Sequence, residues 1–195
     1  MITAEPDLFA SFPELATPRL HLRELGPTDA ADLHVAYADD ETMRFWNTPP
    51  HRSIAETRNI VRAAARSFYE RHGIEWALVR KVDGRVIGKC AYHRWLQQHA
   101  RAEVGYILAR DCWGQGLMSE VLSTLLDFGF GSMQLHSVEA QLDPANKRSA
   151  RLVERFGFRK EGHLRESFRV PGAGMGTGEF ADTAIYGLLR REWRR

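Results

Sequence analysis

The chain has 195 residues, 44% of them hydrophobic, which is one domain of ordinary size able to bury a real core. Its 27 basic and 25 acidic residues leave a net charge of +2, a balance that speaks against nucleic-acid binding driven by bulk charge. The two cysteines, Cys90 and Cys112, are too few for a disulfide framework and lack metal-ligand spacing, so no metal is expected and a reducing compartment fits.

Residues 1–17 read as an irregular lead-in with no apolar signal core, and residues 18–195 as the single folded domain. No apolar run is long enough to span a membrane, so a soluble, cytoplasmic protein is expected. Residues 19–25 alternate polar and apolar, the mark of a half-buried strand. Gly26 and Pro27 end it, and Thr28 or Asp29 caps a helix that runs through Tyr37. Residues 40–46 read as a short helix, stopped by Thr48, Pro49 and Pro50. Ser53 and Glu56 have capping-box spacing and open a helix whose stripe is Ile54, Ile60 or Val61, Ala64 and Phe68, ending near His72 and Gly73. Residues 74–82 and 86–92 pair as an antiparallel hairpin about the Asp83–Gly84 turn. A polar loop over 96–101 leads on.

The stretch that organises the chain follows. Residues 103–108 have the apolar run and length of a strand. The turn Asp111-Cys112-Trp113-Gly114-Gln115-Gly116 breaks it, and Leu117, Val121, Leu125 and Phe128 recur at helical spacing. The first amides of a helix lack partners and carry the positive end of its dipole. Glycines just before them let backbone approach a ligand, so the junction reads either as a phosphate or pyrophosphate socket or as a plain tight turn. It is no Walker A loop, because no Lys-Ser or Lys-Thr follows Gly116. It also lacks the third glycine of the dinucleotide fingerprint, since Ser119 stands in its place. Protein-kinase signatures are absent.

Residues 135–142 form the next strand and Pro144 stops it. Asn146 opens a short helix carrying Ser149, Leu152, Val153 and Phe156, closed by Gly157. Residues 158–170 are extended, the glycine-rich 171–178 is a hairpin tip or a flap over an acceptor, and 180–189 is the last strand. The basic residues 190–195 read as a solvated end. The order implies an α/β domain with a mixed sheet of about seven strands flanked by about four helices.

That order, with a pyrophosphate turn after the fourth strand, resembles the GNAT superfamily of acyl-CoA N-acyltransferases. The family motif, Gln/Arg-x-x-Gly-x-Gly/Ala, meets Trp113-Gly114-Gln115-Gly116-Leu117-Met118 here, with Gly116 matching the central glycine and Trp113 and Met118 departing from the pattern. The run from Asn146 to Phe158, then Glu161-Gly162-His163-Leu164-Arg165-Glu166, is similar to the Asn-x-x-Ser…Gly-Phe…Glu-Gly…Arg-Glu signature of the RimJ/RimL-type branch. Trp-Gly-Gln-Gly before Ser119-Glu120, and the ending from Asp182 through Leu189, also resemble that branch. The likeness covers roughly residues 18–193.

The resemblance implies an N-acetyltransferase that moves an acetyl group from acetyl-CoA to a primary amine by direct attack. The cysteines are not placed as a nucleophile with a histidine base. The expected acceptor is the α-amine of a protein or peptide N-terminus. The alternative acceptor is a small amine such as an antibiotic, a polyamine or an amino-acid derivative. An open peptide groove or clustered carboxylates at its mouth would separate the two. A non-catalytic acyl-CoA-binding module, and an interaction protein using the turn structurally, are rivals of other classes. A homodimer is left open.

By the same resemblance, Gly114, Gln115, Gly116, Leu117, Met118 and Ser119 present amides to the pyrophosphate. Ile107 and Leu108 offer main-chain groups to the pantetheine arm, and Asn146 bonds that arm or simply caps its helix. Glu103 is the candidate general base, directly or through water, or else pairs with a nearby arginine and only holds its strand. Many relatives carry a thiolate-protonating tyrosine where this chain has Val153. Ser149 is the substitute, by hydrogen bonding to the sulfur, or it bonds its own backbone. His51, His93, Arg94, Trp95, Phe45 and Trp46 are weaker candidates for the acceptor groove.

Overall fold

A computed structural model describes residues 7–170 and 178–194. One eight-stranded sheet runs in the order β1-β2-β3-β4-β5-β6-β8-β7, with five α-helices. The strands are β1 (Leu15–Ala16), β2 (Leu20–Glu24), β3 (Ile74–Arg80), β4 (Val86–Leu96), β5 (Arg101–Leu108), β6 (Ser137–Leu142), β7 (Arg159–Arg169) and β8 (Phe180–Leu189). The helices are α1 (Ala30–Tyr37), α2 (Asp40–Met43), α3 (Ile54–Tyr69), α4 (Leu117–Phe130) and α5 (Lys147–Arg155).

Beyond shifts of one or two residues at strand ends, three boundaries differ from the sequence reading. The stretch read as irregular contains β1, which pairs antiparallel with β2. Just before it, Phe9 and Phe12 lie 5.2 and 5.0 Å from the Phe68 ring. The short helix α2 stops at Met43, which leaves Phe45 and Trp46 in the loop after it. Strand β4 runs four residues past Tyr92, through a register shift between His93 and Leu96. The glycine-rich stretch read as a hairpin tip or flap lies, over 171–177, outside the described residues.

Each face of the sheet carries its own core. On one face Val121, Leu122, Leu125 and Leu126 of α4 gather with Trp76, Cys90, Tyr92 and Val104. On the other, Leu33 and Tyr37 of α1 and Val61 and Ala64 of α3 gather with Ala77, Val86 and Ile107. The four α4 residues are fully buried, each worth about 1.5–3 kcal/mol, and the buried Tyr92 hydroxyl donates to the Leu125 carbonyl at 2.8 Å. That anchors the helix whose first turn builds the site.

Strands β5 and β6 are parallel and pair only over Arg101↔Ser137, Ala102↔Val138 and Glu103↔Glu139. Their other neighbours stay paired further: β4 holds β5 out to Leu108 and β8 holds β6 out to Leu142. The two strands therefore splay apart beyond Glu103 and leave backbone edges facing a gap. No helix among the described residues is long and apolar enough to cross a membrane.

Candidate active site

A cavity of about 1120 Å³ opens at the end of β5, beyond the point where its pairing with β6 stops. It is lined by Tyr106, Ile107 and Leu108 of β5, by the start of α4, by residues of α5, and by Glu41, Thr42, Phe45 and Trp46.

The turn before α4 is built from two glycines in left-handed geometry, Gly114 at φ 75° and Gly116 at φ 77°. L side chains seldom adopt that region. No atom lies within 4 Å of where a Gly114 side chain would start. Among the described residues the amides of Gly114, Gln115, Gly116, Leu117 and Met118 donate to no backbone carbonyl; the first to do so is Ser119, to Gly116 at 3.0 Å. These are the unsatisfied donors of a helix N-terminus. The turn is braced from behind. Arg19 meets Glu120 at 2.6 Å and donates to the Gln115 carbonyl at 2.8 Å, while Thr17 donates to Glu120 at 2.8 Å. Burial pulls the Glu120 carboxyl upward, but the bonds from Thr17 and Arg19 outweigh it and hold the group below its usual range.

Helix α5 faces the turn across the cavity. The Asn146 side-chain oxygen Oδ1 accepts from the Ser149 amide at 3.1 Å, so it caps the helix while lining the cavity. The Ser149 and Tyr106 hydroxyls are 2.9 Å apart. Burial pushes the Tyr106 phenol up to about 12, so it stays protonated and can donate at neutral pH. Arg155 donates to the Ser119 hydroxyl at 2.8 Å. Arg148 stacks over the Trp113 ring at 4.3 Å, while the indole N–H donates to the Leu108 carbonyl at 2.8 Å.

Of the residues singled out in the sequence, Ile107, Leu108, Gly114, Gly116, Leu117, Met118, Ser119, Asn146 and Ser149 line the cavity. Gln115 does not; its side chain donates back to the Asp111 carbonyl at 2.9 Å and tightens the turn. Glu103 does not either. Its carboxylate takes His93 Nε2 at 3.0 Å on one oxygen and Arg94 at 3.2 Å on the other, with 12% of the side chain exposed. Tyr106 and Arg148 were missed. Strand alternation places Tyr106 on the same face as Leu108, but only the fold brings Ser149 to it. Cys112 lines the cavity as a thiol raised by burial, a poor nucleophile.

His51 does not line the cavity. It stacks on Tyr37 at 4.8 Å and shares the Thr57 hydroxyl with His34, each Nδ1 2.9 Å away. Burial lowers the His51 imidazole and His34 adds to this, against the pull of Glu56. A base pushed down on folding favours the neutral form. Its contribution is complete above an ordinary imidazole pKa of ~6.5 and is lost as pH falls. The melting temperature should therefore decline between about pH 7 and 5.5, less steeply in His51→Gln. Equal slopes would exclude His51 as the cause.

The acetyltransferase (GNAT) domain family matches residues 19–159. The chain belongs to the GNAT acetyltransferases. It is 32% identical to the uncharacterised N-acetyltransferase p20 of Bacillus licheniformis over 179 residues, 92% of this chain and 97% of that one. It is 25% identical to a spermidine N(1)-acetyltransferase of Escherichia coli K12 over 161 residues, 80% of this chain and 82% of that one. Its fold matches that of RimL, a ribosomal-protein alpha-N-acetyltransferase, at a TM-score of 0.79 with 18% identity, covering 91% and 94% of the two chains. A GNAT acetyltransferase takes its acetyl group from acetyl-CoA, which replaces the non-catalytic and interaction-protein readings. The open amides, the left-handed glycines and Lys147, Arg148, Arg151 and Arg155 at the same end of the cavity suit the phosphates of that co-substrate.

Proposed function

We propose that this GNAT acetyltransferase acetylates the α-amine of a peptide or protein N-terminus by direct transfer. The observation that carries the choice of acceptor is the charge at the acceptor end. The carboxylates of α2 and of the nearby sheet face already hold cations: Glu41 with Arg44 at 3.8 Å, Glu103 with His93 and Arg94, Glu139 with Arg101, and Glu75 with Lys89. A polyamine would meet carboxylates that mostly hold cations already, with Glu154 as the exception among those lining the cavity, whereas Phe45 and Trp46 offer an apolar wall to the first side chain of a peptide. An α-amine also needs less help from a base than a lysine, since its pKa is near ~8 against ~10.4.

When bound, acetyl-CoA supplies an activated acyl carbon. The open amides from Gly114 to Met118 would hold its pyrophosphate, the Ser119 amide being taken by the Gly116 carbonyl, and the backbone of Ile107 and Leu108, with the Asn146 side chain, would line the path of the pantetheine arm. The Tyr106–Ser149 hydroxyl pair offers an O–H to the departing sulfur, the task a tyrosine at Val153 would otherwise perform. Glu103, with both oxygens engaged, reaches the acceptor's proton through its partners. The named relatives span both acceptor types, a polyamine and a ribosomal-protein α-amine. A panel of short peptides with free N-termini, the same peptides blocked at the N-terminus but bearing lysine, and spermidine separates the readings. Acetylation of the free N-termini alone is expected; preference for spermidine would overturn the proposal.

A further inference from the structure

Glu103 sits on β5, short of the cavity, and the side chain that covers it is His93. We propose that His93 takes the proton from the acceptor amine, with Glu103 orienting its ring and Arg94 fixing Glu103. This rests on the reading of the chain as an acetyltransferase of amines.

The first support is a local departure from strand geometry. Consecutive strand residues point to opposite faces, yet His93 and Arg94 both reach Glu103, one on each oxygen at 3.0 and 3.2 Å. The register shift between His93 and Leu96 and the left-handed φ of 48° at Arg94 permit this. A non-glycine residue there is strained, and strain and bulges of this kind gather beside functional sites.

The second is the space cleared for the ring. A Cβ on Gly105 would lie 2.8 Å from His93 Cε1, so the glycine lets the imidazole lie against β5. The ring thus lies on the face of β5 that carries Ile107, two residues on, which lines the cavity although His93 itself stands outside its lining.

The third is proton bookkeeping within the ring. A carboxylate accepts only, so Nε2 carries the hydrogen and Nδ1 keeps its lone pair. Nδ1 has no partner among the described residues, and the side chain is 40% exposed. The charged groups on the neighbouring elements are Glu103 and Arg101 on β5, Arg94 and Lys89 on β4, Glu139 on β6 and Glu75 on β3, besides Arg80 at the far end of β3, which holds Asp83. They pair off among themselves, so no unpaired charge of that set opposes a proton arriving on His93.

The acceptor enters as an ammonium ion. One proton passes to Nδ1 and from there to solvent. The freed lone pair forms the C–N bond as the C–S bond breaks. A second N–H proton ends on the sulfur, which leaves the amide and a free thiol.

Three full-length variants test this: His93→Gln, His93→Ala and Glu103→Gln. All three should keep the wild-type melting shift with acetyl-CoA, which reads the fold and the turn separately from the base. His93→Gln should lose at least about 100-fold in kcat/KM, the usual worth of a general base, along with the acid limb of the pH profile. Added imidazole should restore part of the activity of His93→Ala, an outcome a purely structural histidine would not give. Glu103→Gln should retain a weakened activity that added imidazole does not raise, as expected of a residue that orients the base rather than being it. An active His93→Gln with an unchanged profile beside an inactive Glu103→Gln would overturn the proposal and make Glu103 the direct base. A wild type that acetylates no amine would defeat the parent reading. A wild type that acetylates amines while His93→Gln keeps its kcat/KM would overturn this one on its own.

Discussion

Gly116→Val should abolish acetyl-CoA binding. Gly116 caps α4 at φ 77°, which a β-branched residue scarcely adopts. Its new side chain would start 3.5 Å from the Arg19 guanidinium that braces the turn and stand beside the amides offered to the pyrophosphate. The readout is a thermal melt with and without acetyl-CoA, with ATP and NAD as controls. Ligand at about 100 times its dissociation constant adds roughly 2.7 kcal/mol to the wild type, on the order of 5–10 °C for a domain of this size. The variant should gain nothing. A wild-type shift would mean that the turn is structural and the co-substrate sits elsewhere. The unliganded melt reads the strain at this position, about 1–3 kcal/mol.

Lys89→Met should be the more damaging change to stability. Lys89 and Glu75 face each other from β4 and β3 with 15% and 16% of their side chains exposed. Burial works against the Lys89 charge, but Tyr37 and Glu75 beside it outweigh that and raise its pKa. The ammonium is therefore present throughout the neutral range. Removing it leaves the Glu75 carboxylate under α1 without its cation, an arrangement that costs about 3–5 kcal/mol and a fall in melting temperature on the order of 10 °C. The double variant Lys89→Met with Glu75→Leu should recover most of the loss, because it removes the stranded charge as well. A single variant that loses less than about 1 kcal/mol, the range of an exposed pair, would show that the pair is solvated.

What could be read from the sequence was what is decided locally. The Ser53–Glu56 box does begin α3, Asp83–Gly84 does turn between β3 and β4, and Asn146 does cap α5. Each rests on bonds between residues a few positions apart. The same holds for the turn before α4, where two spaced glycines and a helical stripe carry the signal. What stayed hidden depends on pairing across the chain. A two-residue strand such as β1 has no periodicity to detect; it exists because β2 offers it an edge. The place of β8 between β6 and β7 follows from closing the sheet, which no local pattern encodes. Tyr106 meets Ser149 across 43 positions, so a strand that looked merely apolar carries a hydroxyl into the site. Glu103 could be picked as chemically able, but its partners come from a bulge that reverses one residue of β4, and alternation predicts the opposite face for Arg94. Phe45 and Trp46 were expected in a helix. The early stop of α2 is what leaves them free to line the cavity.

The far edge of the sheet carries a different consequence. Strand β7 is an outer strand eleven residues long, and an outer strand of that length is an invitation to edge-to-edge aggregation. This one discourages it. Arg159, Lys160, Glu161, His163, Arg165 and Glu166 crowd its first eight positions, and its register against β8 slips twice. A second chain approaching that edge would have to bury those charges and follow a kinked backbone. These charges are here the ones that keep separate copies of the chain from pairing, and neutralising them should show first as lost solubility rather than lost activity.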